Sequence, residues 1–343
     1  MIIPVKTNSH GYDIVVKKGV LDNLKNYLNT SKKAMIITDS GVPKIYSEKV
    51  KNAFENAYIF TIKKGEKSKN FKNYKKILEK MVELGFERKD CVIAVGGGVV
   101  GDLSGFVASS YMRGVEFYNI PTTLLSQIDS SIGGKVAINF SKVKNVVGAF
   151  YQPSKVIIDS EVLKTLPKRL LNEGICEGIK MASTSSEELF EFFEKQEITE
   201  ENIDKVIVDS LSIKKQVVEE DPLEKGLRKV LNFGHTLGHC LESYYMGKLY
   251  HGECVGLGML TMCSKEVKER LIKVLQKFNI ETSLKNSKID VEKYLKHDKK
   301  INNGKITCVY VDKIGSFEFV DYSLSKIKEK MGEILWKTPL VKV

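Results

Sequence analysis

Short β-branched runs alternate with amphipathic stretches through the first half of the chain. AMIITDS, AYIFTIK, CVIAV, VEFYNIP and KVIIDS each read as a strand. Between the second and third of these, NYKKILEKMVELGF sets its apolar residues at helical spacing and predicts a helix. Strands alternating with helices predict a mainly parallel, doubly wound α/β sheet. From about residue 168 the β-branched runs thin out and helical periodicity dominates to about residue 300. Near the C-terminus KITCVYVDKIGSFEFV predicts a hairpin. The expected organisation is an α/β domain over 1–168 and a mainly α-helical domain over 169–343. A chain of 343 residues that is 42% hydrophobic is long enough for two such cores.

Composition narrows the class further. No run approaches the roughly eighteen apolar residues of a membrane span, so no membrane partner is expected. The opening MIIPVKTNSHGYDIVV has no basic segment before an apolar core, so no signal peptide is expected. Cysteines 91, 176, 240, 254, 263 and 308 are scattered without a C-x-x-C pair. That pattern predicts reduced thiols in a cytoplasmic protein and argues against a thiolate zinc site. The formal charge of +11 raises nucleic acid as a partner. The lysines, however, are interleaved with glutamates in helical stretches such as FKNYKKILEKMVE, and no stacking-aromatic signature accompanies them. No nucleic-acid partner is expected, and a small anionic substrate would engage a few of these cations.

CVIAVGGGVVGDLSGF runs from a strand through Gly96, Gly97 and Gly98 into a helix expected from about Val99. Gly96, Gly98 and Gly101 satisfy G-x-G-x-x-G in the strand-to-helix setting where bare backbone lets a pyrophosphate approach a helix N-terminus. A Rossmann-like dinucleotide domain is the reading. No acid closes a strand about twenty residues downstream, as the usual fingerprint requires. Asp39 closes one well upstream instead, and in KKGEKSK Glu66 and Lys69 are candidates for a ribose and a phosphate. The segment IPTTLLSQIDSSIGGKVAINFSKVKNVVGAFYQP carries Thr122, Thr123, Asp129, Lys135, Lys144 and Asn145 among glycine pairs. It reads as functional loops near strand ends.

Two patterns point to acid–base or metal chemistry. In TLPKRLLNEGICEGIKMA a helix puts Glu177 and Lys180 on one face, and their apolar flanks imply burial. A buried glutamate needs a partner, and a metal would serve as one. LNFGHTLGHCLESYYMGKLYHGE places three of the chain's five histidines within seventeen positions. His235 and His239 stand four apart on one helical face, and His251 follows a break expected around Gly247. The spacing suits metal ligation and proton transfer alike.

In order, the motifs GGGVVGD, IPTTLLSQIDSSIGGK, KNVVGAFYQP, EGIK, GLRKVLNFGHTLGH and HGE resemble the 3-dehydroquinate synthase family of sugar-phosphate cyclases, over roughly residues 36–316. The resemblance implies a helical C-terminal domain that binds one divalent metal, zinc or cobalt, through Glu177, His235 and His251, with His239 handling protons. It implies NAD held by Asp39, Glu66, Lys69, Gly97, Gly98, Asp102, Thr122, Thr123, Lys135, Lys144 and Thr165. The implied substrate is 3-deoxy-D-arabino-heptulosonate 7-phosphate of the shikimate pathway. It would be converted to 3-dehydroquinate by transient oxidation, phosphate elimination, re-reduction and aldol closure. Arg228, Lys214 and Asn232 match the carboxylate set, and Lys135, Asn145 and Lys299 (Lys300 next) the phosphate set. Asp129 and Lys180 match contacts to the ring hydroxyls, and with His239 and Lys135 make up the catalytic set. Arg113 matches an arginine that reaches a neighbouring subunit, so a homodimer is expected. The alternatives are another cyclase, such as a 2-deoxy-scyllo-inosose synthase, and a metal-dependent polyol dehydrogenase. The cationic set disfavours both.

Overall fold

The computed structural model describes residues 1–7, 11–141, 143–285, 289, 301–302 and 305–336. The chain forms two compact units, Met1–Leu171 with Thr199–Pro222, and Asn172–Ile198 with Leu223–Val343. This differs from the single expected division at 168/169, because one helix, Ile203–Glu220, returns to the first unit.

The first unit is built on a sheet of seven strands. In chain order these are β1 (Ile2–Val5), β2 (Tyr12–Val16), β3 (Lys33–Asp39), β4 (Asn56–Ile62), β5 (Cys91–Gly96), β6 (Glu116–Pro121) and a strand at Lys155–Ile158. Across the sheet the order is β1, β2, Lys155–Ile158, β6, β5, β3, β4. Only β1 runs antiparallel to its neighbour. All five predicted strands are present; every residue of β5 is buried, the near-continuous apolar run of a strand covered on both faces, whereas the edge strand β4 stays partly exposed. β1 and β2 carry no strand prediction. β1 is four residues long, contains Pro4 and lies at an edge, so its periodic signal is weak.

Helices α1 (Lys44–Ala53), α2 (Phe71–Glu83) and α3 (Gly98–Ser110) follow β3, β4 and β5. The apolar face of α2, with Ile77 and Met81 buried, packs with Leu103 and Val107 of α3 over Met35, Ile37, Val92 and Ala94 of the sheet. Asn70 starts α2 by accepting the Asn73 N–H at 2.9 Å. The second half of the stretch read as functional loops is instead a β-hairpin, β7 (Lys135–Phe140) and β8 (Val143–Phe150). Val136 and Ile138 of β7 are buried, whereas all of β8 is exposed. Gly105 of α3 makes this docking possible, since a Cβ there would stand 2.3 Å from Val136 Cγ1.

The second unit contains most of α4 (Lys168–Ser185), then α5 (Glu187–Lys195), α7 (His235–Tyr245), α8 (His251–Met259) and α9 (Lys265–Lys277), α6 being Ile203–Glu220 of the first unit. The predicted hairpin is present as Lys305–Tyr310 paired antiparallel with Glu318–Ser323. No helix among the described residues is long and apolar enough to cross a membrane.

One buried acid holds the first unit's turns together. Asp159 accepts N–H groups from Gly19 at 2.8 Å, Leu21 at 3.1 Å and Glu161 at 3.0 Å. Removing it strands buried donors, so Asp159→Ala should lower stability by about 2–3 kcal/mol. Chemical denaturation should show the midpoint falling with an unchanged slope.

Candidate functional site

In the first unit, the candidate nucleotide residues collect at the carboxyl ends of parallel strands. β3 pairs with β4 on one side and β5 on the other, so the chain reverses its direction of winding between β3 and β5. Such a switch point is where open α/β sheets bind ligands. Asp39 closes β3, Gly97 and Gly98 open α3 after β5, and Thr122 and Thr123 follow β6. A Cβ on Gly97 would meet Thr123 Cγ2 at 3.1 Å, so the glycine keeps the two strand ends in close approach. The reversal puts the acid of β3 beside the glycine turn, which accounts for its lying upstream in the sequence.

Behind this edge Lys69 is buried and lies 2.8 Å from Asp102 Oδ2 and 3.2 Å from Glu66 Oε1. Burial acts to lower the Lys69 pKa, but the Asp102 and Glu66 carboxylates outweigh it and raise it, so the ammonium stays charged. Asn139 of β7, which no sequence motif singled out, is the junction. Its Nδ2 donates to Glu66 Oε1 at 2.7 Å, its backbone N–H donates to the Lys69 carbonyl at 2.9 Å, and its Oδ1 accepts the Asn145 N–H at 2.9 Å. Asn145 itself has φ +54°, a left-handed conformation that asparagine tolerates within a strand. Lys135 and Lys144 lie on the same hairpin.

Thr165 bonds Tyr46 through their hydroxyls at 2.9 Å. Arg113 sits in a turn with φ +65°. Lys214, buried on α6, contacts the Asp129 carboxylate at 2.6 Å, an ion pair that sequence spacing did not anticipate.

In the second unit, Glu177, Lys180, His235 and His251 converge. Glu177 has no exposed surface. Lys180 Nζ lies 2.6 Å from its Oε2, while His251 Nε2 and His235 Nε2 lie 3.5 and 3.9 Å from Oε1. Burial works to raise the Glu177 pKa, but Lys180 and the two imidazoles hold it well below the usual carboxylate range. Burial and the Lys180 charge press His235 well below its ordinary value, which keeps its ring neutral. Burial likewise disfavours a charged His251, yet the facing Glu177 and Glu242 carboxylates raise it to about 10. His239 lies exposed on α7, its ring centroid 5.2 Å from that of His235.

These residues fit a divalent cation. Neither Glu177 oxygen meets a donor in hydrogen-bond geometry among the described residues. The ligand atoms of Glu177, His235 and His251 all lie within 4.8 Å of one another. Two ligands on one tetrahedral zinc stand about 3.4 Å apart. A carboxylate with two imidazoles is a donor set for catalytic zinc or cobalt.

Close backbone packing brings α7 and α8 together. Gly234, with φ +75°, starts α7, and a Cβ on Gly258 of α8 would stand 1.9 Å from the Gly234 carbonyl oxygen. The break between the helices falls at Met246 and Gly247, both left-handed, as the sequence predicted. Glu173, one turn before Glu177 on α4, faces the first turn of α8, its Oε1 3.4 Å from the Gly252 N–H. Of the remaining candidates, Arg228 and Asn232 lie in the 3-10 turn Leu227–Asn232, where Asn232 Nδ2 donates to Glu224 at 3.0 Å. Lys299 and Lys300 lie outside the described residues.

The site's dependence on that helix contact is directly testable. Gly258→Ala sets a methyl against backbone that cannot yield and should cost about 3 kcal/mol. Thermal unfolding should show the loss. Gly332→Ala, with nothing within 4 Å of its Cβ position, should leave the transition unchanged.

Comparison with known proteins gives a consistent answer. Family models described as 3-dehydroquinate synthase N-terminal and C-terminal match residues 59–173 and 174–301. The 3-dehydroquinate synthase of Streptococcus sanguinis strain SK36 is 39% identical over 351 residues, covering 96% of this chain and 99% of the relative. That of Clostridium botulinum strain Alaska E43 is 38% identical over 340 residues, covering 92% and 95%. Among solved structures, 2-deoxy-scyllo-inosose synthase complexed with carbaglucose-6-phosphate, NAD+ and Co2+ superposes with a TM-score of 0.87 at 24% identity, over 98% of this chain and 100% of the other. ValA, a 2-epi-5-epi-valiolone synthase from Streptomyces hygroscopicus subsp. jinggangensis 5008 with NAD+ and Zn2+ bound, gives 0.84 at 24% identity, over 97% and 99%. At that identity these two structures share the fold.

Proposed function

From the chain's membership of the 3-dehydroquinate synthase family we propose that it converts 3-deoxy-D-arabino-heptulosonate 7-phosphate to 3-dehydroquinate and phosphate, as a carbon–oxygen lyase. The observation that carries the reading is the approach of two imidazole Nε2 atoms to a buried, undersatisfied carboxylate. NAD supplies a hydride acceptor whose hydride is returned within the turnover, and zinc or cobalt supplies Lewis acidity.

The protein's part is to bind, orient and move protons. Glu177, His235 and His251 hold the cation. His239 carries a proton, a role that its exposure one helical turn from His235 supports. Lys180 and Asp129 serve the ring hydroxyls. Arg228, Lys214 and Asn232 meet the carboxylate, for which a guanidinium offers two parallel donors. Lys135 and Lys299 neutralise the phosphate, and the Asn145 amide hydrogen-bonds to it as it leaves. Asp39, Glu66, Lys69, Gly97, Gly98, Asp102, Thr122, Thr123, Lys135, Lys144 and Thr165 serve NAD. In this division of labour 1–168 binds NAD and 169–343 the metal and most of the substrate.

A homodimer and a cytoplasmic location complete the reading. The hairpin shows Phe140, Val143, Val146, Val147 and Phe150 at 37% to 53% exposure, apolar surface that a second copy would cover. The paired left-handed residues Met112 and Arg113 form the turn that would extend toward that copy. The six cysteines are free thiols, which suits a reducing compartment. Phe150→Glu should shift the protein toward monomer in sedimentation velocity, and a wild-type monomer would reject the dimer.

The decisive assay supplies the heptulosonate phosphate, catalytic NAD, and zinc or cobalt, and follows phosphate release. Release that stops with a chelator, without net NADH, is expected. No release with either metal rejects the substrate, and accumulating NADH would favour a polyol dehydrogenase. His239→Ala should retain metal and lose about 10²–10⁴-fold in turnover. His235→Ala should lose the metal.

A further inference from the structure

We propose that Glu242 is the positioning residue for His251: its carboxylate accepts the Nδ1–H and so makes Nε2 the atom turned toward the metal. The proposal rests on the assignment of His251 as a ligand. Glu242 Oε2 stands 3.1 Å from His251 Nδ1. A carboxylate only accepts, so the ring must place its proton on Nδ1. Nε2, the nitrogen left to give up its proton to a cation, then lies 3.5 Å from Glu177 Oε1.

His235 shows the same arrangement built differently. Its Nδ1 lies 3.1 Å from the Phe233 carbonyl oxygen, and its Nε2 lies 3.9 Å from Glu177 Oε1. Both imidazoles thus present Nε2 to the same carboxylate because an oxygen holds each Nδ1. For His235 that oxygen belongs to the main chain two residues earlier. For His251 it belongs to a side chain on another helix, and only that one can be removed by substitution. An oxygen acceptor behind a ligating imidazole fixes its tautomer and ring orientation.

The location of Glu242 supports a dedicated role. It follows His235 by seven residues and His239 by three, on the same face of α7. It also lies in the last turn, where an acid opposes the helix dipole. Its contact with His251 offsets a local preference for a cation there. His239, Glu242 and His251 also bring ligand atoms within 4.8 Å of one another. With Nε2 given to the Glu177 side, a second cation there would need a deprotonated Nδ1, so the hydrogen bond is the better account.

The test compares zinc affinity and stoichiometry in wild type, E242A, E242Q and H235A, by competition with a chromophoric chelator, together with the cobalt ligand-field spectrum. E242A should weaken zinc about 10–100-fold and alter the cobalt spectrum. E242Q keeps an acceptor oxygen and should remain near wild type on both. Thermal melts separate lost affinity from lost fold, and E242M removes the acceptor if E242A fails to fold. Unchanged affinity in E242A and E242M overturns the proposal, as does E242Q as weak as E242A. Loss of a second zinc equivalent in E242A also overturns it, making Glu242 a ligand. H235A that keeps its zinc would overturn the ligand assignment itself, whatever Glu242 does.

Discussion

Glu177 is an anion with no exposed surface, and the second unit is organised around that constraint. A buried carboxylate is tolerable only when charge and hydrogen bonds replace the lost water. Lys180 supplies charge from the next turn of the same helix, and α7 and α8 supply imidazoles. Those helices can approach only because glycines stand at 234, 238 and 258, where side chains would strike backbone. Glu173 then faces the start of α8, and Glu242 orients the ring that α8 carries. Helix packing and site geometry are here one problem, since the residues that permit close contact also set where the imidazoles point.

The first unit meets a different constraint, a glycine turn and buried charges gathered at the edge of a sheet. The glycine turn leaves α3's first N–H groups accessible, and the reversal between β3 and β5 brings Asp39 alongside. Asn139 connects the loop carrying Glu66 and Lys69 to the hairpin carrying Lys135, Lys144 and Asn145. Residues far apart in sequence are thereby fastened by one amide.

The sequence was informative wherever the physics is local. Apolar runs marked the five strands, helical spacing marked α2, and Met246–Gly247 fall at the expected break. The spacing of Glu177 with Lys180, and of His235 with His239, already placed each pair on one face. Two segments read less clearly. The 135–150 hairpin alternates in Lys135–Phe140 and carries β-branched residues in Val143–Phe150, but its glycines and charged residues read as loops, and its second strand is fully exposed with a left-handed asparagine inside it. Glu242 was visible as the i+7 residue of the histidine face, yet an acid at that spacing is ordinarily a solvated surface group.

The sequence by itself determined five of the seven strands of the large sheet and the helix α2, the residue types of a metal and nucleotide chemistry, and the ordered motifs that carry the family resemblance. Periodicity, turn chemistry and motif spacing all act within one or two elements, and a linear reading can follow them. Only the tertiary structure decided that Lys214 pairs with Asp129, that Asn139 ties the Glu66–Lys69 loop to the hairpin, and that Glu242 stands behind His251. Each of those contacts depends on which helices or strands pack together and how closely. That is set by side-chain volume and backbone approach across the core, which spacing along a chain does not encode.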